Sequence, residues 1–161
     1  MSLAASAGTL LPVARMSRST DIFDPETRSE IMRRVRSSDT RPERIVRSLA
    51  HRLGYRFRLG RRDLPGSPDL TFPGRGKVIF VHGCFWHQHD CARGRRPLPK
   101  QNADYWRKKL SRNQQRDRQT LKSLRKLGWK TLIVWECETK QGNWPRLAQK
   151  LNRFLAASSK R

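Results

Sequence analysis

Acidic residues are scarce in this chain: 13 Asp and Glu face 36 Lys and Arg across 161 residues, giving a formal charge of +23 and a pI near 11.6. A protein so basic attracts polyanions, and nucleic acid is the simplest of them. No apolar run is long enough to cross a bilayer, and the basic residues are spread along the chain rather than massed beside a hydrophobic block. Membrane binding is therefore not expected. Cysteine is sparse as well. Three thiols leave one unpaired in any disulfide scheme, so thiolate–metal ligation in a reducing compartment, the cytoplasm, explains them better. The apolar run from Thr9 to Ala14 lacks a charged leading region and is too short for a secretory signal. No internal repeat is visible.

What is present suits a globular fold, with 35% hydrophobic and 30% charged residues. Residues 1–20, small and polar, read as a disordered leader in which Met16 is a second candidate start. Residues 21–157 are expected to form one domain and 158–161 a basic tail. Asp24-Pro25-Glu26 is a helix start, and the mostly charged helix it opens carries Ile31, Met32 and Val35 on one side. Thr40-Arg41-Pro42-Glu43 fits a capping box, followed by Ile45, Val46, Leu49 and Leu53 at helical spacing with Gly54 as the stop. Tyr55, Phe57 and Leu59 alternate with polar residues as in a half-buried strand. Asp69 to Phe72 resumes an extended run, and Val78 to Val81 reads as a central strand. A long helix is expected from Ala103 to Leu127, then a buried strand from Thr131 to Trp135, then a closing helix through Leu155. Helices around a small sheet indicate an α/β domain.

The chemistry concentrates where the central strand ends. Residues Val81 to Cys91, VHGCFWHQHDC, hold three of the four histidines and two of the three cysteines. Cys84, His89 and Cys91 form C-x4-H-x-C, and Cys137 follows a separate strand, so the four could close a tetrahedral zinc shell. A closed shell implies a structural metal. Asp69 is either a turn aspartate capping local amides or a ligand for a hard cation such as Mg²⁺. His82 and His87, lying just beyond the strand end and not needed by the zinc, favour the second reading, because imidazole can take a proton from water near neutral pH. Glu43 is open between capping-box partner and active-site carboxylate, and a first-turn carboxylate can be both.

Phe85 and Trp86 stand between candidate ligands, where a constrained loop would struggle to bury both; exposure and insertion between base pairs is expected. Trp129 and Trp135 are expected in the core. Arg107, Lys108, Lys109, Arg112, Arg116 and Arg118 give the long helix a basic face suited to phosphates.

Taken together, Thr27-Arg28-Ser29 with Met32-Arg33, Leu64-Pro65-Gly66 with Pro68-Asp69, His82-Gly83-Cys84-Phe85-Trp86-His87 and Leu132 to Cys137 closely resemble the very short patch repair (Vsr) DNA mismatch endonucleases. The resemblance runs from about Asp24 to Cys137. It implies a restriction-endonuclease-like core, a central mixed sheet flanked by helices with a structural zinc site. It also implies nicking of one strand 5′ to the thymine of a T·G mismatch left by deamination of 5-methylcytosine. On that resemblance Asp69 binds Mg²⁺, one ion or two, with the Val81 main-chain carbonyl. His87 is the general base, and His82 and Glu43 are supporting catalytic residues. Cys84, His89, Cys91 and Cys137 hold one zinc. Phe85, Trp86 and Trp106 wedge into DNA from the major groove, Met32 and Val35 approach from the minor groove, and Asn113 lies near the mismatch; Lys109 and Arg116 join this DNA surface. The acid and lysine of the wider nuclease superfamily are replaced here by Val81 and Gly83, as the family allows. Expected partners are mismatched duplex DNA and other repair proteins, in a bacterial, nucleoid-associated setting where a monomer suffices. Two rival readings share these features: a zinc-stabilised nucleic-acid-binding module without catalysis, and a nuclease of the same fold with another DNA target.

Overall fold

The computed structural model describes residues 38–100 and 102–157. The expected leader, the first helix with Met32 and Val35, and the basic tail lie outside the described residues. Helix α1 spans Arg41–Arg52, with Pro42 in its first turn, where no amide donor is required. The anticipated capping box is not formed as such. Glu43 reaches past the cap instead: Oε2 accepts the Asp39 N–H at 2.8 Å and Oε1 accepts the Thr40 hydroxyl at 2.7 Å. At the far end the Gly54 and Tyr55 amides fold back onto the His51 and Ala50 carbonyls, satisfying two orphan acceptors.

Three strands form the described sheet: β1 (Leu70–Phe72), β2 (Lys77–His82) and β3 (Lys130–Trp135), in the order β1-β2-β3. β1 pairs antiparallel with β2, Leu70 opposite Ile79, while β2 and β3 run parallel with Val81 opposite Val134. The sheet is therefore mixed. Parallel neighbours need a crossover, and the 24-residue helix α2 (Ala103–Lys126) supplies it. The closing helix α3 spans Trp144–Ala156.

Alternation along β2 divides the core. Ile79 packs with Val46, Leu49, Ala50, Leu147, Leu151 and Leu155 of α1 and α3, whereas Val78 and Phe80 pack with Leu64 and Leu124 on the other face. Two expectations are corrected. The run Tyr55–Leu59 keeps its inside–outside alternation at Tyr55 and Phe57, yet forms only one bridge, Arg58 to Thr71, and Leu59 is exposed. Its neighbour β1 is three residues long, too short to support a ladder. β3, expected to be buried, has only Val134 fully buried because it forms an edge of the described sheet. Lys77, a charge at the head of a buried strand, is 1% exposed. Its ammonium donates to the carbonyls of Phe154 at 2.7 Å, Leu155 at 3.2 Å and Ala157, so it caps the last turn of α3.

Candidate active site

Strand β2 ends at His82, and the chain then coils tightly: the His87 amide donates to Gly83 O, His89 to Cys84 O, Cys91 to His89 O and Arg95 to Cys91 O. This winding sends alternate side chains to two neighbouring sites. On one side Cys84, His89 and Cys91 meet Cys137, which β3 delivers just past its own end. One ligand atom from each lies within 4.8 Å of all the others. In a tetrahedral shell with metal–sulfur bonds of about 2.3 Å the sulfurs stand about 3.8 Å apart, so the group has the size and donor chemistry of a closed metal site. Cys84 is fully buried, and desolvation pushes its thiol up to about 12. Cys91 is drawn down to about 6, chiefly by the Gly94 amide, which donates to its sulfur at 3.4 Å. A metal must displace the protons that remain, so loading is expected to strengthen with pH.

Gly94 has a second role here. A Cβ at this position would lie 1.8 Å from the His89 carbonyl oxygen and 3.0 Å from that of Cys84. Gly94→Ala must open the loop carrying both ligands. Metal affinity is expected to fall by roughly 10–100-fold, as when supporting contacts around a metal are lost; competition with a chromogenic chelator measures it.

On the other side lies a cavity of about 740 Å³ whose walls include Glu43, Asp69, Val81, His82, His87, Asn113, Arg116 and Asp117. Glu43, Asp69, His82 and His87, the expected catalytic residues, are thus brought together from α1, the approach to β1 and the end of β2, and α2 lays Asn113, Arg116 and Asp117 beside them. Asp69 accepts the Val81 N–H at 2.7 Å, which ties its carboxylate to the strand end. Burial, aided by the nearby charge of Glu43 and opposed by that amide, holds Asp69 up at about 6. Glu43 is 5% exposed and its oxygens are taken by Thr40, Asp39 and Arg47, the last at 2.8 Å, so its local contacts are structural although it lines the cavity.

His87 and His82 stack with centroids 3.8 Å apart and planes 12° from parallel. Burial, then the neighbouring His87, brings His82 down to about 4. Asp117 is not among the residues expected at the site, yet its Oδ2 lies 2.5 Å from His87 Nδ1. It is the sole acid between Tyr105 and Trp135, set within a run read as a phosphate-binding face. Asn113, Asp117 and Thr120 share helical spacing and all line the cavity, which is the signal that could have found it. An ionised Asp117 can only accept, and a neutral His87 ring that donates to it from Nδ1 leaves Nε2 as an acceptor.

The aromatics are placed differently from expectation. Phe85 and Trp86 are half-buried, because they pack on each other at 5.4 Å and on Trp106 at 6.1 and 5.8 Å. Lys109 Nζ lies over both indoles, 5.2 Å from Trp86 and 5.4 Å from Trp106. Asn113 donates to the Trp86 carbonyl at 3.2 Å, and Arg116 donates to Asn113 at 3.2 Å. Trp129 sits half-buried against the Leu64 cluster. Trp135, expected in the core, is also half-buried and lies between the two sites, parallel to His89 at 4.2 Å and edge-on to His82 at 5.6 Å.

A half-buried carboxylate suited to a hard cation, an acid-paired imidazole on the same cavity and a strongly basic surface are the equipment of a nuclease. Comparison with known proteins narrows the class. Residues 20–93 match the family model for DNA mismatch endonuclease Vsr. The chain is 53% identical over 119 residues to Type II nicking enzyme V.XorIIP of Xanthomonas oryzae pv. oryzae, covering 74% of this chain and 86% of that one. It is 38% identical over 136 residues to Type II nicking enzyme V.NmeAIP of Neisseria meningitidis, covering 84% and 94%. It is also 41% identical over 117 residues to DNA mismatch endonuclease Vsr of Escherichia coli, covering 73% and 74%. This chain belongs to the DNA mismatch endonuclease Vsr family.

Proposed function

We propose that the protein is a Mg²⁺-dependent endonuclease that nicks one DNA strand 5′ to the thymine of a T·G mismatch. In this reading residues 21–157 form a single restriction-endonuclease-like domain braced by one zinc. The observation that carries the reading is the meeting of Asp69, His87 and Asp117 on one cavity, next to an aromatic cluster of Phe85 and Trp86 to which the basic helix adds Trp106. Mismatch preference rests on the names of the relatives and on the resemblance of the HGCFWH motif.

The donor sets suit the two metals. Three thiolates with an imidazole select zinc over magnesium, whereas a carboxylate and a main-chain carbonyl select the hard ion. Asp69 and the Val81 carbonyl would hold Mg²⁺, which when bound polarises the scissile phosphate and stabilises the leaving oxygen. His87 Nε2 takes the proton of the attacking water. Asp117 fixes the tautomer and steadies the charge that forms on the ring. His82, kept uncharged by burial, packs against the base and holds its plane. Phe85, Trp86 and Trp106 enter the base stack, where a mismatch already weakens stacking and pairing. Lys109 and Arg116 meet phosphates. One nick needs one active site, so a monomer is sufficient, and other repair proteins must process the nick. Among the described residues no helix is long and apolar enough to cross a membrane.

The test is strand-resolved cleavage of a T·G duplex and its matched counterpart, with and without Mg²⁺. A nick confined to the mismatched strand is expected. Equal cutting of both duplexes would point to another DNA target, and binding without cutting would point to a non-catalytic module. Asp117→Asn should slow the nicking step by about 10²-fold or more while leaving affinity for the T·G duplex within a few-fold of the parent.

A further inference from the structure

We propose that His82, His87 and Asp117 form a second metal site, distinct from the Asp69 carboxylate, that takes a borderline divalent transition cation such as Zn²⁺, Co²⁺ or Ni²⁺ and thereby switches the nuclease off. The inhibitory half rests on the function proposed above; the binding half stands on geometry alone. One ligand atom from each of the three residues lies within 4.8 Å of the others, and neither Asp69 nor Glu43 belongs to the group. His82 contributes a buried Nδ1 for which no hydrogen-bond partner exists among the described residues. That orphaned nitrogen asks for a donor or a cation. The two rings stand 3.8 Å apart between centroids and near parallel; imidazole lone pairs lie in the ring planes, so one ring turns out of the stack when both nitrogens take a single ion.

Ligand type decides which ion enters. Two imidazoles and one carboxylate bind borderline metals far better than Mg²⁺, which prefers oxygen and keeps its waters. Millimolar magnesium therefore leaves this group vacant for micromolar competitors. Entry has a definite consequence for the base. A cation placed at His87 Nδ1 beside Asp117 displaces the proton held between them, and because the neutral ring keeps a single N–H, that proton passes through solvent to Nε2. The His87 Nδ1–Asp117 Oδ2 distance, 2.5 Å in the proton-bridged form, opens to about 3 Å when both atoms ligate one ion at about 2 Å. The ring's remaining proton must then sit on Nε2, so the atom that accepts water's proton becomes a donor. The same residues that make His87 a base thus also make it a target for metal inhibition.

The experiment begins with the zinc-loaded protein, free of DNA, titrated with Co²⁺. One further equivalent is expected, with visible d–d absorption and no thiolate-to-cobalt charge-transfer band in the near ultraviolet. Asp117→Asn and His82→Gln should each weaken that equivalent by about 10-fold or more, with the first zinc retained. In parallel, wild-type nicking in excess Mg²⁺ should fall as the second equivalent fills and recover when a weak chelator removes it. Co²⁺ that enters only with a charge-transfer band, or binding equal in the parent and both variants, would overturn the site. Filling of the second equivalent with nicking unaffected would overturn the switch. A protein that fails to nick with Mg²⁺ alone, yet binds Co²⁺ as described, would refute the proposed function and support the site.

Discussion

Asp69→Asn is expected to nick a T·G duplex roughly 10³-fold more slowly or worse, and yet to melt at a higher temperature than the parent in Mg²⁺-free, zinc-loaded buffer at neutral pH. The first effect follows from the loss of the charge that would hold the cation. The second follows from where that charge sits. Asp69 is held up at about 6 by burial and by Glu43, against an ordinary value of about 3.9 in the unfolded chain. Between these values the folded state binds more protons than the unfolded one, so stability declines as pH rises from about 4 to about 6. Above pH 6 the ionised carboxylate strains the metal-free fold by on the order of 3 kcal/mol at most. An amide at the same position can still accept the Val81 N–H and carries no charge to desolvate. The parent should gain stability on adding Mg²⁺ and the variant should not. A variant that melts lower at pH 7 without Mg²⁺ would show that the carboxylate is not destabilising and would undo this account of the site.

Stripping the Cys/His knot should have the larger structural effect. Closed sites of this kind contribute on the order of 10 kcal/mol to folding, comparable with the whole stability of a typical domain. Cys137→Ala, or chelation of the parent, is therefore expected to lower the melting temperature steeply and to abolish nicking even after Mg²⁺ is restored. The route from knot to cavity is short. His89, a proposed ligand, stacks on Trp135 at 4.2 Å, and Trp135 meets His82 edge-on at 5.6 Å. When His89 loses its metal, the indole loses its backing and the wall behind the His82–His87 stack loosens. Circular dichroism and thermal melting in the presence of chelator check this. An unaltered melt would mean that the four residues brace nothing.

The gathering of Cys84, His89, Cys91 and Cys137 was legible because few roles explain three thiols and histidines at strand ends; spacing groups the first three, and Cys137 joins them as the one thiol left. Asp69, His82 and His87 were legible for a related reason: short apolar runs mark strand ends, and strand ends in an α/β domain converge. Asp117 was not, because an acid flanked by Arg116 and Arg118 looks like a solvated ion pair until the crossover lays α2 over the end of β2. The alternation of Tyr55 and Phe57 correctly reported which side faces inward. It could not report that the neighbouring strand stops after three residues. Phe85 and Trp86 were read as exposed from loop constraint alone, yet Trp106 arrives from twenty residues further on and half-covers both.

Lys77 sets a boundary for anyone shortening this protein. Its ammonium is held by carbonyls up to 80 positions ahead in the chain, the last of them on Ala157. Trimming back to Arg153 would remove those acceptors and leave a cation sealed beneath the sheet with nothing to neutralise it, a defect of several kcal/mol. The usable end of an expression design is therefore dictated from far away in the sequence, by one strand residue outside both candidate sites.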